Sequence, residues 1–419
     1  MRAEKGIFHK IDWILVGLYL ALVITGWLNI YAAVYDESHR SIFDFSQKYG
    51  KQLFFILAAL MLALGILIID PKFFSQFSYF IYGFFLLALV VVIFSGREIS
   101  GSKGWFAIGG FGVQPAEFAK MATALALAKF LSSLDVDIRK GKDLLTASAI
   151  IFIPALIVLL QHDTGSAIVF FALIIVLYRA GLSGYVLLAL IALPVLGVLA
   201  LVVPKIILAG ALLTLTLLLL LFIKRRLKNI LTLGAVFLVT VGFIFSVDYS
   251  VNHILEKHQR DRIHVLLGQD IDLKGTGYNV NQSLIAIGSG KFFGKGFLQG
   301  TQTKYNFVPE QSTDFIFCTI GEEQGFLGAG LMVALYTLLF IRLVLAAERQ
   351  RSKFARFYGY GVASILFFHF TINIGMTLGL LPVIGIPLPF VSYGGSSLWA
   401  FTILLFIFIR QDSFRYQLV

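Results

Sequence analysis

The chain is poor in charge and has a single cysteine. Charged residues make up only 14% of its 419 positions, against about 25% in soluble domains, and 58% are hydrophobic. The cysteine, Cys318, excludes an internal disulfide and a cysteine-based metal cluster, and its apolar surroundings indicate a packing role. The phosphate-binding motif GxxxxGKS/T, the zinc motif HExxH and His/Cys sets at metal-ligand spacing are also absent. The common soluble nucleotide-binding and zinc-dependent classes are therefore not indicated.

Long apolar runs occupy most of the chain, whose mean hydropathy is +0.87. A membrane-spanning helix needs about 20 mostly apolar residues. Runs near this length lie at 12–33, 53–70, 73–95, 117–133, 144–160, 165–181, 183–203, 205–223, 229–247, 315–346, 355–380 and 395–411. We therefore predict an all-α polytopic membrane protein with twelve transmembrane helices, built as one membrane domain over 1–419.

Lysine and arginine are distributed unevenly between the predicted loops. With the N-terminus placed inside, the inner segments contain about three times as many of them as the short outer segments. Because short cytoplasmic loops are enriched in Lys and Arg, this asymmetry predicts that both termini are cytoplasmic. It also accounts for the net charge of +11 without nucleic acid as a partner. Ten or fourteen spans would pass the same test.

One outer segment is much longer than the others. Residues 248–313 form a large extracytoplasmic loop in this topology, amphipathic at first and then rich in glycine. Its alternation of apolar and polar residues predicts an ordered loop that packs on the membrane face. Shorter outer loops are predicted over 96–116 and 381–394. No internal repeat is evident, which argues against a transporter built from duplicated halves.

Polar side chains that could carry chemistry cluster at the outer ends of the predicted helices. Polar groups at membrane depth are costly and tend to be functional. Asp314 opens the tenth helix from outside, in the string FVPEQSTDFIF. Other acids, a lysine, a histidine, an amide and small hydroxyl residues on this side are Glu117, Lys120, Asp163, His369, Asn373, Ser392, Ser396 and Ser397. Together they predict a polar cavity that opens outward.

Each of these residues also has a structural interpretation, and the pattern alone leaves both open. Asp314 could be a cap stabilised by the helix dipole. Glu117 and Lys120, three positions apart on one helix face, could form only a structural ion pair. His369 and Asn373, four positions apart, could serve only as hydrogen-bonding groups between helices.

Several sequence blocks, in order along nearly the whole chain, resemble the SEDS proteins, the membrane peptidoglycan polymerases of shape, elongation, division and sporulation. They are GWFAIGGFGVQPAEFAK at 104–120, QHDTGSA at 161–167, GYNVNQSLIAIGSGKFFGKGFLQGTQT at 277–303, FVPEQSTDFIFCTIGEEQGFLG at 307–328 and NIGMTLGLLPVIGIPLPFVSYGGSS at 373–397. The last block is the most specific. The strings GFLQGTQT and PVIGIPLPF are typical of the elongation type rather than the division type.

The resemblance implies a reaction and its surroundings. SEDS enzymes polymerise lipid II at the outer face of the cytoplasmic membrane, with inversion at the anomeric carbon of MurNAc. The aspartate of the TDFIF string is their essential acid, which implies that Asp314 is the general base. The implied partners are lipid II, a class B penicillin-binding protein and membrane lipids. No organic cofactor is implied, but a divalent cation, Mg²⁺ or Mn²⁺, could offset the charge of the departing pyrophosphate.

The resemblance also suggests which residues contact the substrate. Lysines could take the place of a metal, with Lys103 and Lys120 best placed by topology and Arg260 or Arg262 less well placed. Trp105, alternatively an anchor at the membrane interface, belongs to the same loop as Lys103. The predicted substrate-binding residues are Lys103, Trp105, Gln114, Glu117, Lys120, Glu310, Asn373, Ser392, Ser396 and Ser397.

The chain departs from the family pattern at two points. The family usually has ten spans, so the two additional runs suggest an inserted helix pair over 205–247. Many members have an acid at the position of Asn306, and Glu310 could take over its role here.

Two other functions compete with polymerisation. A lipid II flippase would need polar groups along a route through the membrane, whereas the inner halves of these helices are apolar. A non-catalytic scaffold of the elongation machinery would have no need of Asp314 as a base. The one-sided distribution of polar groups favours the transferase.

Overall fold

The computed structural model describes residues 10–35, 41–99, 101–108, 111–222, 226–253, 260, 276–305 and 307–415. The predictions made for Asn306 and Arg262 lie outside these residues. Within them the chain is mostly helical, as predicted for a polytopic membrane protein.

A helix or a pair of helices lies over each of the twelve predicted apolar runs. The helices are α1 (Trp13–Ala33), α2 (Lys48–Ile68), α3 (Pro71–Gln76), α4 (Ser78–Ser95), α5 (Pro115–Ser132), α6 (Gly141–Leu160), α7 (Thr164–Val169), α8 (Ile174–Arg179), α9 (Gly184–Val202), α10 (Lys205–Phe222), α11 (Leu227–His253), α12 (Thr276–Ser289), α13 (Thr301–Lys304), α14 (Ile316–Glu348), α15 (Lys353–Thr377) and α16 (Gly395–Ser413). A short 3-10 turn, Phe170–Leu173, joins α7 to α8.

Nine of the described helices are long and apolar enough to cross a membrane: α1, α2, α4, α6, α9, α10, α11, α14 and α15. The chain is therefore a multi-pass membrane protein. Helix α5 does not reach this hydropathy because three of its 18 residues, Glu117, Lys120 and Lys129, are charged. The number of twelve spans stays a prediction.

The helices differ in how much of their surface lies inside the protein. The most apolar window of α15 is 61% buried, whereas those of α9, α10 and α11 are each 6% buried. Helix α15 packs against α5, α14 and α16. Fourteen of the 18 residues of the charged helix α5 are buried, as expected where polar groups would be costly against lipid. The least apolar helices therefore form the centre.

The chain folds into two compact units. The larger unit comprises Met1–Leu182 and Asn279–Val419, and the smaller comprises Ser183–Tyr278. Helices α9, α10 and α11 of the smaller unit share a small core of Ala200, Leu208 and Ile244. The predicted inserted pair, 205–247, belongs to this unit, and its status as an insertion stays a prediction.

The outer loop predicted over 96–116 contains a small antiparallel sheet that no pattern in the sequence predicted. Its strands are β1 (Arg97–Ile99), β2 (Ser102–Ile108) and β3 (Phe111–Val113), in the order β1-β2-β3. Arg97 pairs with Trp105 across the first two strands. The sheet leads directly into α5, which begins at Pro115, so Gln114 is held at the junction.

Helix α14 is interrupted about a third of the way along its length. Gly325 has φ 66° and ψ −160°, a conformation that glycine alone adopts readily. The glycine-rich segment 290–296 packs into the interruption, and Lys295 donates its backbone N–H to the Glu322 carbonyl at 3.0 Å. Gly294 packs so closely that an added Cβ would lie 2.1 Å from a carbonyl oxygen of the helix. This close contact accounts for the glycines of the segment.

The side chain of Glu322 fastens the same region. Its buried carboxylate accepts hydrogen bonds from Lys295 Nζ at 2.6 Å and from the backbone N–H groups of Gln302 and Thr303 at 2.8 and 2.9 Å. A buried carboxylate is stable only with partners of this kind. The last part of the predicted large outer loop is therefore tied to the helix that follows Asp314.

Replacing Glu322 by glutamine should loosen this attachment. The amide removes the ion pair with Lys295 and turns one acceptor into a donor that faces backbone N–H groups. We expect a loss of about 3 kcal/mol in the free energy of unfolding, at the lower end for broken buried pairs, because Lys295 keeps some exposure. Thermal unfolding of the purified protein in detergent measures this loss.

Glu348→Gln is the matched control for that measurement. Its ion pair with Arg179 is exposed on both sides and should contribute less than about 1 kcal/mol. Equal destabilisation by the two substitutions would contradict the role given to Glu322.

Candidate active site

Asp314 lies in the turn that precedes α14. Glu310, with φ 54°, closes this turn by accepting the N–H groups of Thr313 and Phe315 at 3.1 and 3.2 Å. The N-cap of α14 is Phe315, and no side chain caps the helix there. Asp314 therefore does not act as the helix cap. Among the described residues no donor is bonded to its carboxylate, which leaves that group for another partner.

The surroundings of Asp314 change its acidity. Burial above all, together with the negative charges of Glu310 and Asp163, raises the pKa of its carboxyl from 3.8 to about 7. These effects outweigh the helix dipole, which would lower the pKa. A carboxylate of this kind exchanges protons near neutral pH.

The backbone of Asp314 is held by α15 and by the segment 381–394 that joins α15 to α16. Asn373 Nδ2 donates to the carbonyl oxygens of Asp314 and Ile386, each at 2.8 Å. Gly385, with φ 76°, approaches so closely that an added Cβ would lie 3.2 Å from Asp314 Oδ2. The predicted residue Asn373 thus positions the acid through its main chain.

Ser392 makes a second connection between the turn that contains Asp314 and the segment 381–394. Its hydroxyl donates to the Thr313 carbonyl at 2.6 Å and accepts the N–H of Leu388 at 2.8 Å. Tyr393 donates its backbone N–H to the Ser312 carbonyl at 2.9 Å. The turn before α14 and the segment 381–394 therefore form one hydrogen-bonded layer.

Gln114 connects the small sheet to a further acid. Its Nε2 donates to Asp163 Oδ2 at 2.7 Å, while Asp163 Oδ1 caps α7 by accepting the N–H of Ser166 at 2.9 Å. Ser396 Oγ accepts the Gln114 N–H at 3.2 Å and donates to the Gly112 carbonyl at 2.9 Å. The predicted residues Gln114 and Ser396 are thus brought to one place, with Asp163 beside them.

Glu117 and Lys120 form a buried ion pair of 2.7 Å, and they are only 4% and 1% exposed. Lys120 Nζ also lies 2.9 Å from His369 Nε2. Since a charged lysine must donate here, we assign the histidine proton to Nδ1, which lies 3.2 Å from the Pro387 carbonyl oxygen. The ion pair is therefore linked through His369 to the segment 381–394.

The remaining predicted substrate-binding residues are more accessible. Lys103 is exposed on β2, and its backbone N–H binds the Gln161 carbonyl at 3.2 Å. Trp105 is half-buried and packs over Gly112, where an added Cβ would lie 3.0 Å from its ring. The exposed carboxylate of Glu310 accepts the Thr313 hydroxyl at 2.9 Å. Ser397, at the start of α16, is half-buried.

Two residues of α2 belong to this site but escaped the sequence prediction. Lys48 Nζ lies 3.1 Å from Ser312 Oγ, and Gln52 Oε1 accepts the N–H of Gly394 at 3.2 Å. Lys48 counted in the sequence only as an outer positive charge. More than 250 residues separate it from Ser312, and no motif spans that interval.

An apolar groove of about 670 Å³ lies between α2, α5 and α16. Met61, Gly65, Phe118 and Trp399 are among its lining residues. Trp399 is fixed by a hydrogen bond of 3.0 Å from its indole N–H to the Phe55 carbonyl. The groove has the apolar character needed to hold a hydrocarbon chain.

No three His, Cys, Asp or Glu side chains converge into a metal-binding group within the part of the chain that the structure describes. The acids whose charges act on Asp314 are Glu310 and Asp163.

Comparison with known proteins gives sequence relatives along the whole chain. The FtsW/RodA/SpoVE family, described as cell cycle protein, matches residues 12–212 and 206–417. The peptidoglycan glycosyltransferase RodA of Treponema pallidum (strain Nichols) is 32% identical, over 93% of this chain and 94% of its own length. The peptidoglycan glycosyltransferase MrdB of Escherichia coli (strain K12) is 33% identical, over 91% of this chain and 88% of its own length.

Two solved structures share the fold. One, from a study of how a peptidoglycan synthase complex coordinates polymerization and crosslinking, has a TM-score of 0.71 at 27% identity and covers 97% of this chain and 99% of its own. The rod shape determining protein RodA of Thermus thermophilus has a TM-score of 0.64 at 26% identity, covering 97% of this chain and 98% of its own. These matches confirm the resemblance predicted from the sequence blocks, and the chain belongs to the FtsW/RodA/SpoVE family of SEDS proteins.

Proposed function

We propose that this protein is a peptidoglycan glycosyltransferase that polymerises lipid II at the outer face of the cytoplasmic membrane, for cell elongation and shape. Its relatives from T. pallidum and E. coli are named for the transferase activity. The observation that carries the proposal is the state of Asp314. Its carboxylate has no hydrogen-bond donor among the described residues and a pKa of about 7, which suits a general base at neutral pH.

The reaction follows as an in-line displacement. The C4 hydroxyl of a GlcNAc attacks the anomeric carbon of a MurNAc, and Asp314 accepts the hydroxyl proton as the new C–O bond forms. The bond from the anomeric carbon to pyrophosphate breaks, and its electron pair leaves with undecaprenyl pyrophosphate. Because attack and departure take place on opposite faces of the sugar, the configuration inverts.

The predicted substrate-binding residues divide into two groups in this proposal. The accessible group would contact the sugars and phosphates directly: Lys103, Trp105, Glu310 and Ser397. The enclosed group would act by positioning the acid and its neighbouring segments: Gln114, Glu117, Lys120, Asn373, Ser392 and Ser396. The apolar groove between α2, α5 and α16 would receive a polyprenyl chain, whose burial drives its binding.

A divalent cation, Mg²⁺ or Mn²⁺, is part of the proposal only as a companion of the substrate. Mg²⁺ is often bound by one or two carboxylates together with substrate phosphates, and it retains several waters. Glu310 and Asp163 could supply such carboxylates, while the described residues form no dedicated metal cage. When bound, the cation would offset the negative charge on the pyrophosphate.

We also propose a class B penicillin-binding protein as partner, because a structural neighbour comes from a peptidoglycan synthase complex. The topology proposed with it has cytoplasmic termini and an extracytoplasmic site. The excess of Lys and Arg in the inner segments supports this orientation.

Ion pairs at the helix ends farthest from Asp314 bear on the flippase alternative. There Asp12 binds Arg342 at 2.8 Å and Arg349 at 2.6 Å, and Arg349 also binds Asp412 at 2.5 Å. The inner ends are thus not wholly apolar, contrary to the sequence prediction, but their buried acids are paired with arginines and offer no unpaired charge to a lipid headgroup. The scaffold alternative gives no reason for the raised pKa of Asp314.

Asparagine in place of Asp314 should abolish lipid II polymerisation by the purified protein with its partner. The amide cannot take the proton, and loss of a general base costs about 10²–10⁴-fold in rate. Glycan products separated on a gel measure the loss. Glu98→Gln, at an exposed acid of β1, is the control and should remain active. Normal polymerisation by Asp314→Asn would refute the base role.

The same variant can be shown to fold, because the ionised carboxylate of Asp314 is unfavourable in the folded protein. A folded-state pKa of about 7 against 3.8 means that wild-type stability falls as pH rises from 3.8 to 7. Asp314→Asn should therefore unfold at a higher temperature than wild type at pH 8. The difference should shrink towards pH 4.

The acid limb of the pH profile should report the same group. We expect kcat/KM to rise with pH to a plateau, and the midpoint of the rise should lie near the pKa of Asp314, about 7. Glu310→Gln removes a neighbouring negative charge, so it should lower the pKa of Asp314 and move the midpoint to lower pH. A midpoint that stays in place would assign the limb to a different group.

Alanine at Gly385 should reduce kcat, because its methyl group would crowd Asp314 Oδ2 at 3.2 Å. We expect a loss on the order of tenfold to a hundredfold, as for small displacements of a catalytic group. Gly379→Ala is a matched control. It imposes similar backbone strain, with φ 66° against 76°, but its Cβ would meet only Val280 and Leu284. Equal losses of kcat would make the effect one of general strain.

A further inference from the structure

Lys48, the first residue of α2, has an accessible positive charge next to the turn that contains Asp314. Its ammonium donates to Ser312 Oγ at 3.1 Å and lies 5.8 Å from the centre of the Tyr393 ring. The side chain is exposed, and no acid pairs with it among the residues that the structure describes. Its charge is therefore available to an anionic ligand.

The two lysines predicted from the sequence are less suited to this task. Lys120 is enclosed, and its ammonium is bonded to Glu117 and His369. Lys103 is exposed on β2, but within the described residues its side chain makes no contact with the turn before α14. Of these three lysines, Lys48 is the one that contacts this turn.

Lys48 also stands at the end of a row of aromatic rings that begins in the apolar groove. The ring of Trp399, in the groove wall, lies 5.7 Å from Phe55, and Phe55 lies 6.3 Å from Tyr393. Lys48 contacts the last ring of this row. The row therefore leads from the groove wall to the Lys48 ammonium in three successive separations of 5.7, 6.3 and 5.8 Å, along which the head of a polyprenyl chain would leave the groove.

Lys48 and Asp314 are connected through Ser312. Lys48 Nζ donates to Ser312 Oγ at 3.1 Å, and Ser312 precedes Asp314 by two residues. Lys48 therefore lies against the turn that contains the proposed base.

We propose that Lys48 binds the pyrophosphate of the polyprenyl-linked donor and stabilises it as it departs. This inference rests on the proposed function. It assigns the apolar groove between α2, α5 and α16 to the polyprenyl chain of the donor rather than that of the acceptor. As the bond from the anomeric carbon breaks, its electron pair remains on a pyrophosphate oxygen. The Lys48 ammonium exchanges its bond with Ser312 for that oxygen and keeps its own proton.

Three substitutions in the full-length protein test the assignment. Lys48→Gln removes the charge but can still donate to Ser312, and Lys48→Arg keeps the charge. Lys51→Gln is the matched control, because Lys51 is an exposed lysine one turn further along α2 and makes no side-chain contact with the site among the described residues.

Binding is measured with undecaprenyl pyrophosphate, undecaprenyl phosphate and undecaprenol, by native mass spectrometry of the detergent-solubilised protein. Lys48→Gln should weaken pyrophosphate binding about 10–100-fold, as expected for loss of a hydrogen bond from a charged group. It should weaken monophosphate binding less and leave undecaprenol binding unchanged. Lys48→Arg should stay within about threefold of wild type, because it keeps the charge.

Kinetics with the partner complete the test. Lys48→Gln should lower kcat for lipid II polymerisation as well as weaken binding, since the departing pyrophosphate carries the most charge. Unchanged pyrophosphate binding in Lys48→Gln, or an equal loss in Lys51→Gln, would overturn the inference. An equal loss for undecaprenol would also overturn it, by showing that the substitution damages the groove.

The binding arms can be repeated in an Asp314→Asn background, where no turnover takes place. Retention of the Lys48 effect there supports the anion site independently of the reaction. A wild-type protein that binds pyrophosphate but does not polymerise lipid II would refute the proposed function and the leaving-group role with it.

Discussion

The side-chain amide of Asn373 is the contact on which the arrangement around Asp314 depends. It joins the carbonyl of Asp314 to a carbonyl of the segment 381–394. This segment lies between two helices without being helical, so its backbone groups need partners from elsewhere. His369 and the buried hydroxyl of Tyr336 bind two more of its carbonyls. Helices thus supply the hydrogen bonds that the irregular segment cannot make for itself.

The charges of the site are arranged so that Asp314 can act as a base. A lysine paired directly with Asp314 would lower the pKa of the carboxyl and make it a weaker base. The buried Lys120 is instead paired with Glu117. The charges that act on Asp314 are those of Glu310 and Asp163, and both raise its pKa. The proposed role of Asp314 as a base therefore depends on pairing the buried lysine with Glu117 rather than with Asp314.

Much of the fold was predictable because transmembrane helices are encoded locally, as runs of apolar residues. Each of the twelve predicted runs is helical. The sheet over 97–113 was missed because its strands are short and one of them lies among glycines. The interruption at Gly325 was missed for a related reason: a single glycine in an apolar run does not show that another segment packs into the helix there.

The sequence by itself determined that the protein is a polytopic helical membrane protein, and its motifs identified the family and the acid Asp314. Helical spacing also predicted the pairing of Glu117 with Lys120. Only the tertiary structure decided that Asp314 is not a helix cap and that its pKa is raised. It alone brought Lys48 to Ser312. The physical reason is that burial and charge neighbours depend on contacts between segments far apart in the chain, whereas a sequence pattern records only what lies within a few helical turns.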